Sequence, residues 1–185
     1  MNLEENFSIK ELTTLKVGGE ARYFGVLRST SDIEEAQAFA KQKRLPVFVL
    51  GGGSNVVASS GTINALVLKN EIFGKEILEE TENSVLIKVG AGEDWDEFVA
   101  FCVERGFIGV EALSAIPGTV GGSPIQNIGA YGSEVSQTID SVEVFDMEDS
   151  ILKVFSKEDC DFSYRDSVFK KTPGRFVVAS VTFRL

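Results

Sequence analysis

Val47-Phe48-Val49-Leu50-Gly51-Gly52-Gly53-Ser54-Asn55 joins a short apolar run to three glycines and two polar residues. The run predicts a strand apolar on both faces, at a central position in its sheet. Where such a strand empties into glycines, a row of backbone N–H groups has no side chain in front of it. Such a row can converge on an anion, most often a pyrophosphate, because glycine lets the backbone turn tightly and the phosphate come close. Ser54 and Asn55 add a hydroxyl and an amide at the same edge. The plainer alternative is a tight loop whose glycines serve only its own geometry. For this stretch alone the plainer reading carries at least equal weight.

Working outward, Ala21 to Leu27 reads as a strand, and Thr30-Ser31-Asp32 opens a helix with Ser31 and Glu34 spaced as a capping box. Ile33, Ala36 and Ala40 recur at helical spacing until Leu45-Pro46 ends the element. Strand, helix, strand and glycine turn thus form a βαβ-like unit that delivers the turn to the carboxyl edge of a sheet. Ile63 to Leu68 and Ser84 to Val89 are further strands. Trp95, Phe98, Val99, Cys102 and Val103 mark one apolar face of a second helix, which Gly106 is placed to end. Strands return at Ser141 to Phe145, Ile151 to Phe155 and Arg175 to Leu185. A boundary between two lobes is expected near residues 69–75, giving lobes of residues 1–70 and 71–185.

Composition narrows the function. The 185 residues carry a formal charge of −10, with the carboxylates spread along the chain. No basic stripe is visible, which argues against a nucleic-acid surface. An anionic ligand must therefore be held locally, by backbone dipoles and a few placed cations. The sequence contains no histidine, which removes the commonest general base and transition-metal ligand and excludes a Ser-His-Asp mechanism. No metal site is expected. Cys102 and Cys160 lie far apart without metal or redox spacing and read as buried thiols. The acidic opening Met1 to Asn6 lacks an apolar segment, and no run is long enough to span a bilayer. A cytoplasmic protein with no membrane partner is the expectation.

A second glycine-rich segment changes the weight of the first. Ile116-Pro117-Gly118-Thr119-Val120-Gly121-Gly122-Ser123-Pro124-Ile125-Gln126-Asn127-Ile128-Gly129-Ala130-Tyr131-Gly132 mixes glycines, aliphatic side chains and two amides. A flat aromatic ligand with hydrogen-bonding edges and a phosphate tail suits that mixture: glycines admit the ring, aliphatic groups cover it and amides read its edge. A plain surface loop would not be expected to carry Ile116, Val120, Ile125 and Ile128 so regularly.

With Leu50 to Asn55, Ile116 to Gly122, Gln126 to Gly132 and Phe162-Ser163-Tyr164-Arg165-Asp166-Ser167 in this order, the chain resembles the UDP-N-acetylenolpyruvylglucosamine reductase family (UDP-N-acetylmuramate dehydrogenases). The resemblance runs from about Thr13 to the C-terminus, and the motifs are more like the first of the family's two subtypes. It implies an α+β fold in two lobes of the vanillyl-alcohol-oxidase / p-cresol-methylhydroxylase (PCMH) type, with FAD clamped between them. It implies that Gly51, Gly52, Gly53, Ser54 and Asn55 hold the pyrophosphate. Ile116, Pro117, Gly118, Thr119, Gly121, Gly122, Gln126, Asn127, Ile128 and Gly129 would then run along the diphosphate and isoalloxazine.

Tyr164 and Arg165 match the family's substrate-facing pair, Arg165 being the catalytic candidate that stabilises the enolate. The implied reaction is NADPH-driven reduction of a UDP-sugar, UDP-N-acetylglucosamine-enolpyruvate, to UDP-N-acetylmuramate in peptidoglycan synthesis. Negative charge develops on the substrate carboxylate and α-carbon, for which a guanidinium fork is better suited than an ammonium. The plain alternative for Tyr164-Arg165-Asp166 is a surface strand with an Arg–Asp ion pair.

The sequence also departs from the family. A further substrate-binding domain, with a Gly-Ser-Phe-Phe-type motif whose serine donates the proton and a late glutamate, has no counterpart in these residues. Two explanations stand: a fragment holding the FAD-binding part, or a short protein whose reductase activity is lost. Either predicts FAD binding without efficient turnover. The functional alternatives are another flavin oxidoreductase of the same superfamily, or a non-catalytic flavin- or nucleotide-binding module.

Overall fold

The computed structural model describes residues 1–185. Its first sheet contains β1 (Leu3–Ser8), β2 (Glu20–Leu27), β3 (Val47–Leu50) and β4 (Thr62–Asn70), in the order β1-β2-β4-β3. Strand β1 runs antiparallel to β2, whereas β2 and β3 both run parallel to β4. Helix α1 (Thr30–Lys43) makes the crossover from β2 to β3, so the predicted βαβ unit is present with β4 inserted between its two strands.

Ser29 caps α1, with Asp32 completing the capping box. The true cap lies two residues before the Ser31–Glu34 pair, because Asp32 Oδ2 already accepts the N–H groups of Arg28 and Ser29. Strand β3 is an edge strand, not a central one. Phe48 and Val49 remain 53% and 38% exposed there, so an apolar run alone did not distinguish edge from centre.

The second sheet is wholly antiparallel, in the order β10-β9-β11-β6-β5. It comprises β5 (Lys75–Glu80), β6 (Val85–Gly90), β9 (Ile139–Asp146), β10 (Ile151–Ser156) and β11 (Phe176–Arg184), while the two-residue strands β7 (Gly129–Ala130) and β8 (Ser133–Glu134) pair separately. Sequence patterning misses β1 and β5, since both are mostly exposed and carry several charges. Helix α2 (Trp95–Glu104) covers one face of this sheet, burying Trp95, Phe98, Val99 and Cys102. Val103 is 54% exposed and does not belong to that face. Gly106 follows α2 at φ +73°, the left-handed conformation expected of it.

Strand β11 shows how one strand serves two cores. Val177 and Ala179 face α1 and the first sheet, whereas Val178, Val181 and Phe183 face α2. The irregularity between Val178 and Ser180 changes the alternation, as a β-bulge does. The sheets are further tied by Asn70 Nδ2, which donates to the Val178 carbonyl at 2.9 Å, and by Gln37, whose amide donates to Met147 O and Ser150 Oγ.

Cys102 and Cys160 are fully buried, and burial pushes both thiols up to about 12. Neither should react with a disulfide reagent at neutral pH in the folded protein. Both should react in denaturant, and thiol titration by absorbance checks this. No helix is long and apolar enough to cross a membrane.

Candidate functional site

The glycine turn after β3 meets the loop after α2 directly. A Cβ placed on Gly52 would lie 2.9 Å from Gly118 Cα, and one on Gly51 would lie 2.5 Å from Thr119 Oγ1. Ser54 Oγ donates to the Pro117 carbonyl at 3.1 Å, and Asn55 Nδ2 donates to Gln126 Oε1 at 3.3 Å. Two segments more than sixty residues apart therefore form the two walls of one cleft of about 300 Å³.

The backbone of this cleft holds its main chemical resource. None of the N–H groups of Gly51, Gly52, Gly53, Ser54 and Asn55 donates to an acceptor in the protein. On the facing wall the N–H groups of Gly118 and Thr119 are also unspent, whereas those of Val120 and Gly121 bond Glu93 O and Ala91 O. Backbone donors are normally paired when shielded from water, and Gly53 is buried. Seven unpaired donors beside one cleft, with no Asp or Glu in its lining, make a site for an elongated anion.

Gly53 sits at φ +67°, and a Cβ there would lie 2.0 Å from the Leu12 carbonyl oxygen. That glycine is needed to fold the turn, whereas Gly52 is needed to keep the walls close.

The lining includes Gly51 to Asn55, Pro117, Gly118, Thr119, Gly122, Gln126 and Ile128 of the sequence-derived set. Ile116, Gly121, Asn127 and Gly129 lie outside it. Gly121 packs on the end of β6, where a Cβ would stand 2.5 Å from Ala91 Cβ. Asn127 is 1% exposed with its amide committed inside the protein: Nδ2 donates to Glu134 Oε2 and to Ser163 O, and Oδ1 accepts from Ser136 N–H. Its left-handed backbone (φ +46°) and these bonds make it a clamp between the loop and the Tyr164-Arg165 turn.

Tyr164 and Arg165 occupy the tip of a two-residue turn closed by reciprocal Ser163–Asp166 backbone bonds. Neither lines the cleft, and Tyr164 is 84% exposed. The guanidinium of Arg165 donates to Gly129 O at 2.8 Å and pairs with no carboxylate; Asp166 pairs with Lys171 instead. The Arg–Asp ion pair of the plain alternative is absent, leaving Arg165 at the lip with its positive charge uncompensated.

Sequence reading missed Lys170, the one charged side chain in the lining, together with Val56 and Ser123; it placed Trp95 only on a core face and Ile125 only among the aliphatic groups of the second segment. Lys170 belongs to the short helix α3 (Val168–Lys171), whose cap Ser167 accepts from Lys170 N–H and donates to Ile125 O at 2.6 Å. The ammonium of Lys170 donates to Arg165 O at 2.7 Å. The cap spacing Ser167 to Lys170 was the available signal. Trp95 Nε1 is spent on Leu113 O at 2.8 Å, so the indole serves the cleft as an apolar floor.

A wider groove of about 560 Å³ runs between the end of α1 and the β9–β10 turn, with Lys41, Arg44 and Arg175 on its walls. Arg175 is already neutralised by Asp146, Glu148 and Asp149, and the groove has no comparable row of free amides. The smaller cleft is therefore the better candidate for an anion.

Two sheets packed about the crossover helix α1, with a phosphate-type nest where their loops meet, define a flavoprotein fold of the vanillyl-alcohol-oxidase and p-cresol-methylhydroxylase type. The chain belongs to the FAD binding domain family, whose model matches residues 21–154. Over its whole length it is 42% identical to the UDP-N-acetylenolpyruvoylglucosamine reductase of Pseudomonas aeruginosa and 39% identical to that of Amoebophilus asiaticus. It spans 54% and 55% of those relatives, about half their length.

Among solved structures, the UDP-N-acetylenolpyruvylglucosamine reductase of Thermus caldophilus matches with TM-score 0.78 at 27% identity, covering 98% of this chain and 60% of that one. A solvent-stable cholesterol oxidase (TM-score 0.69, 16% identity, 99% and 37% covered) and p-cresol methylhydroxylase (0.63, 13%, 91% and 36%) share the fold.

Proposed function

We propose that this chain is the FAD-holding part of an NADPH-driven reductase that converts UDP-N-acetylglucosamine-enolpyruvate to UDP-N-acetylmuramate in peptidoglycan synthesis. The observation that carries this reading is the carboxylate-free cleft flanked by the free N–H groups of residues 51–55 and 118–119. Residues 1–70 form the lobe that takes the diphosphate, with Gly51 to Asn55 as its donors. Residues 71–185 form the lobe whose 114–132 loop takes the ring, Ile125 and Ile128 covering it and Trp95 flooring it. When bound, FAD supplies the hydride-carrying chemistry that links NADPH to the enolpyruvyl carbon.

This chain's own residues position and polarise. Lys170 places an ammonium in the cleft wall, as an anionic cofactor requires. Arg165, anchored on Gly129 O and free of any carboxylate, is oriented to meet the substrate carboxylate as charge develops on it. Tyr164 stands beside it with most of its ring free to contact substrate.

Incubation with FAD and gel filtration tests the reading. The expected product is yellow, with bound-flavin bands near ~370 and ~450 nm. Addition of UDP-N-acetylglucosamine-enolpyruvate is expected to perturb those bands, and Arg165→Met to abolish the perturbation. A protein that emerges colourless contradicts the flavin assignment. Bound flavin indifferent to this substrate leaves a different oxidoreductase of the superfamily as the better reading.

A further inference from the structure

Lys69 is the penultimate residue of β4, opposite Leu50 of β3 and thus directly beneath the glycine turn. Its side chain is half-buried, and its ammonium donates to the carbonyl oxygen of Gly51. That is its only hydrogen bond within the chain, and no carboxylate lies within ion-pair distance. The nearest acid along the strand, Glu71, pairs with Arg28 at 3.5 Å. In a chain with 28 acidic residues, a shielded ammonium that meets only a backbone carbonyl calls for an explanation. Burying such a cation without a partner is costly, and burial lowers the proton affinity of this one.

Peptide geometry supplies the explanation. The carbonyl of Gly51 and the N–H of Gly52 belong to one planar trans peptide and point in opposite directions. A cation that holds the Gly51 carbonyl below the turn thereby aims the Gly52 N–H to the other side, towards the cleft. Glycines at 51, 52 and 53 give the turn many alternative peptide orientations, so without this tether the plane is free to flip. Thr119 restrains the other side of Gly51, where a Cβ would meet its Oγ1.

We infer that Lys69 is a positioning residue for anion binding: it locks the Gly51–Gly52 peptide with its N–H directed at the cofactor's diphosphate. The inference rests on the flavin reading above and adds to it a residue outside the cleft lining. Its charge also lies behind the peptide dipole in the sense that strengthens the N–H as a donor. Lys69 touches neither ring nor substrate, so its effect falls on binding.

The test compares Lys69→Met, which keeps the stem and removes the donor, with Lys69→Arg, which keeps charge and donors. FAD affinity is read by flavin fluorescence, and the Gly52 amide by 15N-resolved NMR with FAD at saturation. Lys69→Met is expected to weaken FAD binding about tenfold or more, the scale of one lost charge-assisted hydrogen bond. It should also shrink the FAD-induced shift of the Gly52 amide by more than half while those of Gly118 and Thr119 persist.

Lys69→Arg is expected to restore both within threefold. Should Lys69→Met fail to fold, Lys69→Gln carries the same comparison with the same expected split. FAD affinity within twofold of wild type, or an equal loss of shift at all three amides, would overturn the role of Lys69 alone. Wild-type protein that binds no FAD would take down the flavin reading and this inference together.

Discussion

Gly52→Ala is expected to weaken FAD binding about 100-fold while leaving the melting temperature within about 2 °C of wild type. The added Cβ would stand 2.9 Å from Gly118 Cα and 3.3 Å from Gly118 C. Both contacts are with backbone, which cannot rotate away as a side chain can. The walls of the cleft must part, and the N–H groups of residues 51–55 and 118–119 no longer converge. Losing two hydrogen bonds to a charged acceptor, at about 1.5 kcal/mol each, amounts to about 3 kcal/mol, or roughly two decades of affinity. Stability suffers little because Gly52 is exposed and does not need a left-handed backbone. Gly53→Ala is the contrasting variant. Its Cβ would meet the Leu12 carbonyl at 2.0 Å with φ at +67°, so it should damage folding as well as binding. Flavin fluorescence titration and thermal melting distinguish the two.

Asp146→Asn is expected to cost about 3 kcal/mol of stability at pH 7. Asp146 is fully buried, and Oδ2 accepts from Lys153 Nζ at 2.8 Å and from Arg175 at 3.1 Å. Oδ1 accepts the N–H groups of Glu148 at 2.9 Å and Asp149 at 3.2 Å. Burial alone would raise the carboxyl's proton affinity. The bonds from Lys153, Arg175, Asp149 and Glu148 more than offset it and hold the group well below the usual carboxylate range.

The sign of the pH dependence follows. A depressed folded-state value means the stabilisation is fully present above the unfolded value of about 3.9 and is lost as pH falls below it. Wild type should therefore lose stability steeply below about pH 4, and Asp146→Asn should show a shallower acid limb from a lower plateau. Denaturant melts between pH 2 and 7 measure both; equal plateaus would refute the assignment. The cluster also fixes the β9–β10 turn, whose Met147 carbonyl accepts from Gln37 of α1, so the same variant loosens a joint between the two sheets.

Much of this architecture was legible because each signal had a local cause. The apolar run Ile63 to Leu68 reads as a strand in the sequence, and the structure shares its residues between two cores. The helical stripe of Trp95, Phe98, Val99 and Cys102 is likewise a period the sequence displays. The glycine turn alone was as readable as a plain tight loop, and only the second glycine-rich segment, Ile116 to Gly132, tipped it towards an anion nest. What escaped was set by partners far along the chain. Strand β3 lies at an edge because β4 enters between it and β2, and four residues cannot announce which neighbour they will have. Ser29 captured the helix cap because of the Asp32 carboxylate, against an equally good pattern two residues on.

Asn127 entered the cofactor-binding set through the family resemblance. In the structure its side chain is bonded to Glu134, Ser136 and Ser163, which fold back onto it. Lys69 looked like any strand-end lysine, and only its contact with Gly51 sets it apart. The substrate-facing roles of Tyr164 and Arg165 came from resemblance, and the structure adds that Arg165 carries no competing carboxylate.

One measurement bears on the central claim most directly: diffraction from crystals of this chain grown with FAD. The account predicts the diphosphate oxygens within hydrogen-bonding distance of the N–H groups of Gly51 to Asn55, with Gly118 and Thr119 closing from the facing wall. A diphosphate seated instead among Lys41, Arg44 and Arg175, with the glycine turn bare, would contradict it.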